Sequence, residues 1–146
     1  MLPLSPKKMK KFKILNHTAD IRAVVYGTSL ESLFKNAAEL LYCLMEIKWS
    51  PTEEKKDVNI QISADTLEDL MVKFLNELIY YAEVKRLAGR LLAKNLSVEE
   101  NNCRIVCKME GRKIEVLRKE IKAATYHGLK IEEANGVLSV SVIFDV

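Results

Sequence analysis

Long hydrophobic runs are missing from this chain. Charge interrupts every apolar stretch before the roughly 18 residues a membrane helix needs, and no apolar run precedes the first lysines. The expectation is a protein that neither spans a membrane nor is secreted, and works in the cytoplasm. Proline and glycine are also scarce, 3 and 5 in 146 residues, and Pro3, Pro6 and Pro51 fall in the leader and one connection, so no linker between domains is visible. Cysteine is limited to Cys43, Cys103 and Cys107, an odd number that fits reduced thiols better than a disulfide framework. Histidine is limited to His17 and His127, neither with an evident nucleophile in sequence. No phosphate-cradling glycine loop, nucleophile elbow or closely paired metal cysteines occur, which excludes most common catalytic frameworks.

What is present suits one domain with its own core: 49% of the residues are hydrophobic and 29% charged. The formal net charge is only +3. Two basic clusters stand out, Lys7, Lys8, Lys10, Lys11 and Lys13 near the start and Arg112, Lys113, Arg118, Lys119 and Lys122 further on. Neither carries interleaved aromatics for stacking bases, so they read as a solvated arm and a soluble face, and direct RNA binding is not expected. Residues 1–11 are assigned to the arm and 12–146 to a single domain.

Phe12 to Leu15 reads as a strand, and His17 to Gly27 continues extended, with Ile21, Ala23 and Val25 on one face and Asp20, Arg22 and Val24 on the other. Thr28 with Glu31 suggests a capping box ahead of an amphipathic helix carrying Leu30, Leu33, Phe34, Ala37, Ala38, Leu41, Leu44 and Met45. Val58, Ile60 and Ile62 alternate as a strand with one dry face. Asp65 with Glu68 suggests a second capping box, and the helix behind it, striped by Leu67, Leu70, Met71, Phe74, Leu75, Leu78 and Ile79, is expected to end near Gly89 as a left-handed cap. Alternation then replaces helical spacing through Leu96 to Val98, Cys103 to Met109 and Ile121 to Ile131, with Cys103 and Cys107 on one strand face as small buried hydrophobes. Asn101-Asn102 supplies a turn, and Asn135-Gly136 a hairpin between Leu129–Glu133 and Val137–Phe144. The pattern predicts an α+β domain with two amphipathic helices packed on a mostly antiparallel sheet.

Asp145 lies beside the carboxylate of Val146, two hard oxygen donors that repel each other unless a cation intervenes. Bringing Asp20 to them would gather about three negative charges, a set suited to Mg²⁺, Mn²⁺ or Ca²⁺. Carboxylates at a chain end are commonly solvated, so the residues alone leave this open.

His17-Thr18-Ala19-Asp20, Gly27 with Ser29-Leu30-Glu31 and Phe34, Phe74-Leu75-Asn76-Glu77-Leu78, Lys122-Ala123-Ala124-Thr125-Tyr126-His127 and the closing Asp145-Val146 follow in order, and the chain from Phe12 onward resembles the archease family. Two positions depart from it: Arg22 stands where the family often has glycine, and Ala124 where a branched residue is usual. The resemblance implies an α+β fold and a helper protein without a reaction of its own. Its expected partner is an RtcB-type RNA ligase of tRNA splicing and RNA repair, engaged transiently, whose active-site histidine becomes guanylylated with the helper's aid, allowing multiple turnover. It also implies Asp20, Asp145 and the Val146 carboxylate as ligands of a divalent ion (Ca, Mg or Mn), with Lys122 contributing to ligase activation.

Two rival readings need different features. A chaperone-like module that keeps an RNA-modifying tRNA methyltransferase soluble and specific needs a surface rather than an acidic site. A metal-dependent phosphoesterase needs further carboxylates, for which Asp65 is the candidate.

Overall fold

The computed structural model describes residues 10–17, 20–125, 128 and 130–146. Lys7, Lys8, Thr18, Ala19, Tyr126, His127 and Leu129 lie outside the described residues, as does the His17 side chain. The elements run β1 (Phe12–His17), β2 (Asp20–Gly27), α1 (Leu30–Met45), β3 (Ile47–Trp49), β4 (Lys55–Ser63), α2 (Leu67–Tyr80), β5 (Leu87–Leu91), β6 (Ser97–Glu99), β7 (Arg104–Leu117), β8 (Ala123–Thr125), β9 (Ile131–Ala134) and β10 (Val137–Asp145).

The expected α+β architecture is present, but with two sheets of five strands among the described residues. One has the order β1-β2-β10-β8, with β9 also on β10. The other is built around β7, which pairs with β3, β4, β5 and β6. All these pairings are antiparallel. Both helices contact strands of both sheets, α1 reaching β2 and β5 and α2 reaching β8 and β4. This explains why α1 buries a wider arc than one sheet needs, from Leu33 and Phe34 round to Leu40 and Met45. Phe34 meets Phe74 edge to face with ring centroids 5.4 Å apart, locking the helices to each other.

Both helix starts fall one residue later than the sequence signals. Ser29, not Thr28, caps α1: its hydroxyl accepts from Ser32 N–H at 3.1 Å, and Ser32 Oγ accepts from Ser29 N–H at 3.0 Å. Thr66, not Asp65, caps α2 and accepts from Asp69 N–H at 3.0 Å. Glu31, Glu68 and Asp69 occupy the first turns, where carboxylates complement the helix dipole.

The end of α2 corrects a second expectation. The helix stops at Tyr80, passes through a π-helical turn at Tyr81–Lys85, and reverses at Arg86 with φ 58°. Gly89 is no cap; it lies within β5 opposite Gly111 of β7. A Cβ at Gly89 would overlap the Glu110 carbonyl oxygen, and one at Gly111 would come 2.7 Å from the Lys56 carbonyl oxygen. These glycines serve close strand approach. The Asn135-Gly136 hairpin is as expected, with φ values of 54° and 78° at the two turn residues. Among the described residues of the stretch expected to be extended from Ile121 to Ile131, Ala123–Thr125 is the only strand before β9 begins.

Cys103 is not on the β7 face with Cys107; it sits in the preceding turn at φ 36°, its thiol donating to the carbonyls of Glu100 and Asp65. Both are buried, as expected, while Cys43 is exposed. Burial pushes the Cys107 thiol from about 9 up to about 12 and raises the Tyr42 hydroxyl too. Both groups hold their protons longer folded than unfolded, so their contribution is complete below pH 9 and is lost as pH rises from there. Stability should fall between pH 9 and 11, with Cys107 alone supplying up to about 1.4 kcal/mol per pH unit. Urea unfolding should show a shallower fall for Cys107→Val; equal slopes would contradict this origin.

Candidate metal and partner site

The site grows from two neighbouring strands in the first sheet. In β2 the residues Ile21, Ala23 and Val25 go into the core, which turns Asp20, Arg22 and Val24 to the opposite face. In β10 the residues Val140, Val142 and Phe144 are buried, which leaves Asp145 on the same outer face. The hydrophobic alternation thus fixes the outward face, and the pairing of β10 with β2 sets Asp145 directly opposite Asp20. Side chains directly opposed across an antiparallel pair have Cβ atoms about 5 Å apart, where like charges disfavour each other.

On the other side of β10, Ala123 is the register partner of Asp145, and Lys122 N–H donates to the Asp145 carbonyl at 2.8 Å. Asp20, Asp145 and the Lys122-Ala123 segment therefore form a row across the end of the sheet. Asp145 and Lys122 are exposed, and Val146 is 39% exposed. Arg22 Nε lies 3.6 Å from Asp20 Oδ1 with both side chains substantially in solvent. An ion pair of that kind is worth about 0–1 kcal/mol, too little to hold Asp20 against a competing cation.

Asn76 positions the third strand of this row, a role the sequence reading did not assign. Its side-chain oxygen accepts from Ala124 N–H at 2.8 Å and its amide donates to the Ala124 carbonyl at 3.3 Å. Through these two bonds α2 acts as a substitute strand along β8, which spans only Ala123–Thr125. The available signal was a polar side chain set among the apolar positions Phe74, Leu75 and Leu78.

The second basic cluster does not act as one patch. Arg112 lies over the Trp49 ring, 4.9 Å from its centroid, Lys119 Nζ is 3.9 Å from Glu46 Oε1, and Lys122 stands beside Asp145. Among the described residues, no group of three or more His, Cys, Asp or Glu side chains comes together as metal ligands, so Asp65 does not complete a carboxylate cluster with Asp20 and Asp145. The donors on the row are oxygens on an exposed strand end, a set that suits a hard divalent cation keeping several waters.

The sequence model of the archease protein family matches residues 12–146. The chain belongs to the archease family. Archease from Methanosarcina mazei is 30% identical over 146 residues, covering 97% of this chain and 99% of the relative, and that from Aeropyrum pernix is 31% identical, covering 89% and 93%. A Thermotoga maritima crystal structure described as an archease and possible chaperone superposes with a TM-score of 0.66 at 29% identity, covering 92% of this chain and 96% of that one. The solution structure of Methanobacterium thermoautotrophicum protein 1598 gives a TM-score of 0.68 at 25% identity, covering 94% and 100%. The archease match starts at Phe12, the first residue of β1. No described helix is long and apolar enough to cross a membrane.

Proposed function

We propose that this archease is a non-catalytic cytoplasmic accessory protein that activates an RtcB-type RNA ligase in tRNA splicing and RNA repair. The observation that carries this reading is the direct opposition of Asp20 and Asp145, with Lys122 bonded through its backbone to the same Asp145. Asp20, Asp145 and the carboxylate of Val146 would hold a Mg²⁺, Mn²⁺ or Ca²⁺ ion. Such an ion supplies positive charge that stabilises phosphate oxygens gaining negative charge during nucleotidyl transfer.

The chain's own part is to present these oxygens at an exposed strand end, where they can reach a partner's nucleotide pocket. Lys122, held one residue before β8, adds a cation that can orient a phosphate or a carboxylate of the ligase. The Asn76 clamp keeps that segment in place. Contact with the ligase must be transient, because a helper that stayed in the pocket would block RNA entry.

The test is ligase guanylylation with and without the helper. Asp20→Ala and Asp145→Ala should each lower the stimulation by roughly tenfold or more, since even an outer-shell partner of a metal ligand commonly contributes that much. Wild-type stimulation by both variants would overturn the proposal.

The description of the Thermotoga relative as a possible chaperone favours one second reading, a module that keeps a tRNA methyltransferase soluble and on its proper substrate. That role uses a surface, so light scattering of the methyltransferase should be suppressed equally by wild type and Asp20→Ala. Loss of suppression in Asp20→Ala would count against it.

A further inference from the structure

A cleft on the second sheet is separate from the paired aspartates. It encloses about 960 Å³ between the outer side of α1, where Tyr42 and Cys43 lie, and strands β3, β4, β5 and β7. That volume is at the upper end of the range for small-molecule sites. Trp49 supplies an aromatic wall, partly open to solvent.

The charges in this cleft are unbalanced in one place. Lys55 is the register partner of Arg112, so two cations stand directly opposite each other on β4 and β7. Arg90 on β5 is the partner of Glu110. Glu110 therefore serves two cations, with Oε1 3.2 Å from Lys55 Nζ and 3.5 Å from Arg90 Nε. Among the described residues, no carboxylate lies within ion-pair distance of Arg112, whose guanidinium instead rests on the Trp49 ring at 4.9 Å. Glu39, also on the cleft wall, is already held by Lys11 at 2.8 Å, and the remaining acid, Glu53, is exposed. Asp57, the β4 register partner of Glu110, adds a second carboxylate on this face, so of these three cations the one left without an ion pair is Arg112. An anion seated in the cleft would give it one while also meeting the two cations that share Glu110.

We propose that this cleft is a binding site for a small planar aromatic anion, a flat ring bearing a phosphate. The ring stacks on the Trp49 indole or on the guanidinium that covers it, since both offer flat faces. The phosphate is met by Arg90, Lys55 and Arg112, where an arginine fork can give two parallel hydrogen bonds. Neither half suffices alone: the ring gains little without the anion in a shallow cleft, and the anion gains little at partly solvated cations without the ring. The site draws on no residue of the Asp20–Asp145 row, so it stands or falls independently of ligase activation.

Trp49 is the only tryptophan in the chain, so its fluorescence reports on this cleft directly. The probes are AMP, which has ring and phosphate, adenosine, which has the ring alone, and inorganic phosphate. AMP should quench Trp49 saturably with a Kd below about 1 mM, and adenosine and phosphate should bind roughly tenfold more weakly or worse. Arg90→Gln and Arg112→Gln should each weaken AMP by roughly tenfold, Arg112→Lys should recover part of the loss, and Asp20→Ala should bind AMP as wild type does. Cys43 gives a second readout, because it lines the same cleft and is exposed while Cys103 and Cys107 are buried. AMP should slow its alkylation by iodoacetamide in wild type and not in Arg112→Gln. Absence of saturable quenching by AMP, or AMP binding undiminished in both glutamine variants with unfolding midpoints like wild type, would overturn the proposal.

Discussion

Joining a single glycine to Val146 should weaken Mn²⁺ binding by roughly tenfold or more and should lower ligase stimulation as much as Asp145→Ala does. The reason lies in what the carboxylate of Val146 would contribute to the proposed site. Asp20 and Asp145 are opposed across the β2–β10 pair, and among the described residues no third acidic, cysteine or histidine side chain joins them. In the proposed site the further anionic oxygen is the carboxylate of Val146, which follows Asp145 directly. One added residue turns that carboxylate into a neutral amide carbonyl and moves the terminal charge about 3.3 Å further along an extended chain. Arg22 makes the loss worse, because with only two aspartates left its guanidinium offsets a larger share of the negative charge. An extended protein with full metal affinity would remove Val146 from the site and leave Asp20 and Asp145 in it.

The largest effect on stability is expected at Gly89. Gly89→Val should cost about 3 kcal/mol or more, a large part of the 5–15 kcal/mol by which a domain of this size is commonly folded. Its Cβ would overlap the Glu110 carbonyl oxygen, which is backbone and cannot rotate away. The strand facing it has little slack, since Gly111 is its register partner and a Cβ there would itself come 2.7 Å from the Lys56 carbonyl oxygen on β4. Three strands would have to separate, opening the sheet beside the buried Met109 and the Tyr42 side chain that donates to its sulfur at 3.3 Å. Urea unfolding should show a far lower midpoint, whereas a change under about 0.5 kcal/mol would mean the strands part without cost.

The same glycine shows where reading the sequence stops working. Helical apolar spacing identifies α2 through Ile79, and a glycine several residues later looks like its cap. The π-helical turn at Tyr81–Lys85 and the reversal at Arg86 carry no such signal, because a non-glycine residue takes the left-handed conformation. The cap positions were misread by one residue for a related reason. Thr28 and Ser29 are both good caps, as are Asp65 and Thr66, and only packing of the first turn chooses between them. The strands around Asp20 were legible because Ile21, Ala23 and Val25 alternate so regularly that the opposite face follows. The opposition of Asp20 and Asp145 was not legible from composition or spacing, since it depends on pairing between strands more than a hundred residues apart; only the family resemblance joined them. The division of the strands into two sheets was hidden in the same way, because β7 pairs with four other strands and sequence alternation says nothing about partners.

Mn²⁺ titration of the isolated protein, read by electron paramagnetic resonance, tests the metal site most directly. The wild-type chain should bind one ion saturably, Asp20→Asn and Asp145→Asn should each lose that site, and Arg22→Gly should tighten it by freeing Asp20 from the 3.6 Å ion pair. Identical Mn²⁺ binding by wild type and both asparagine variants would contradict a metal centre at the paired ends of β2 and β10.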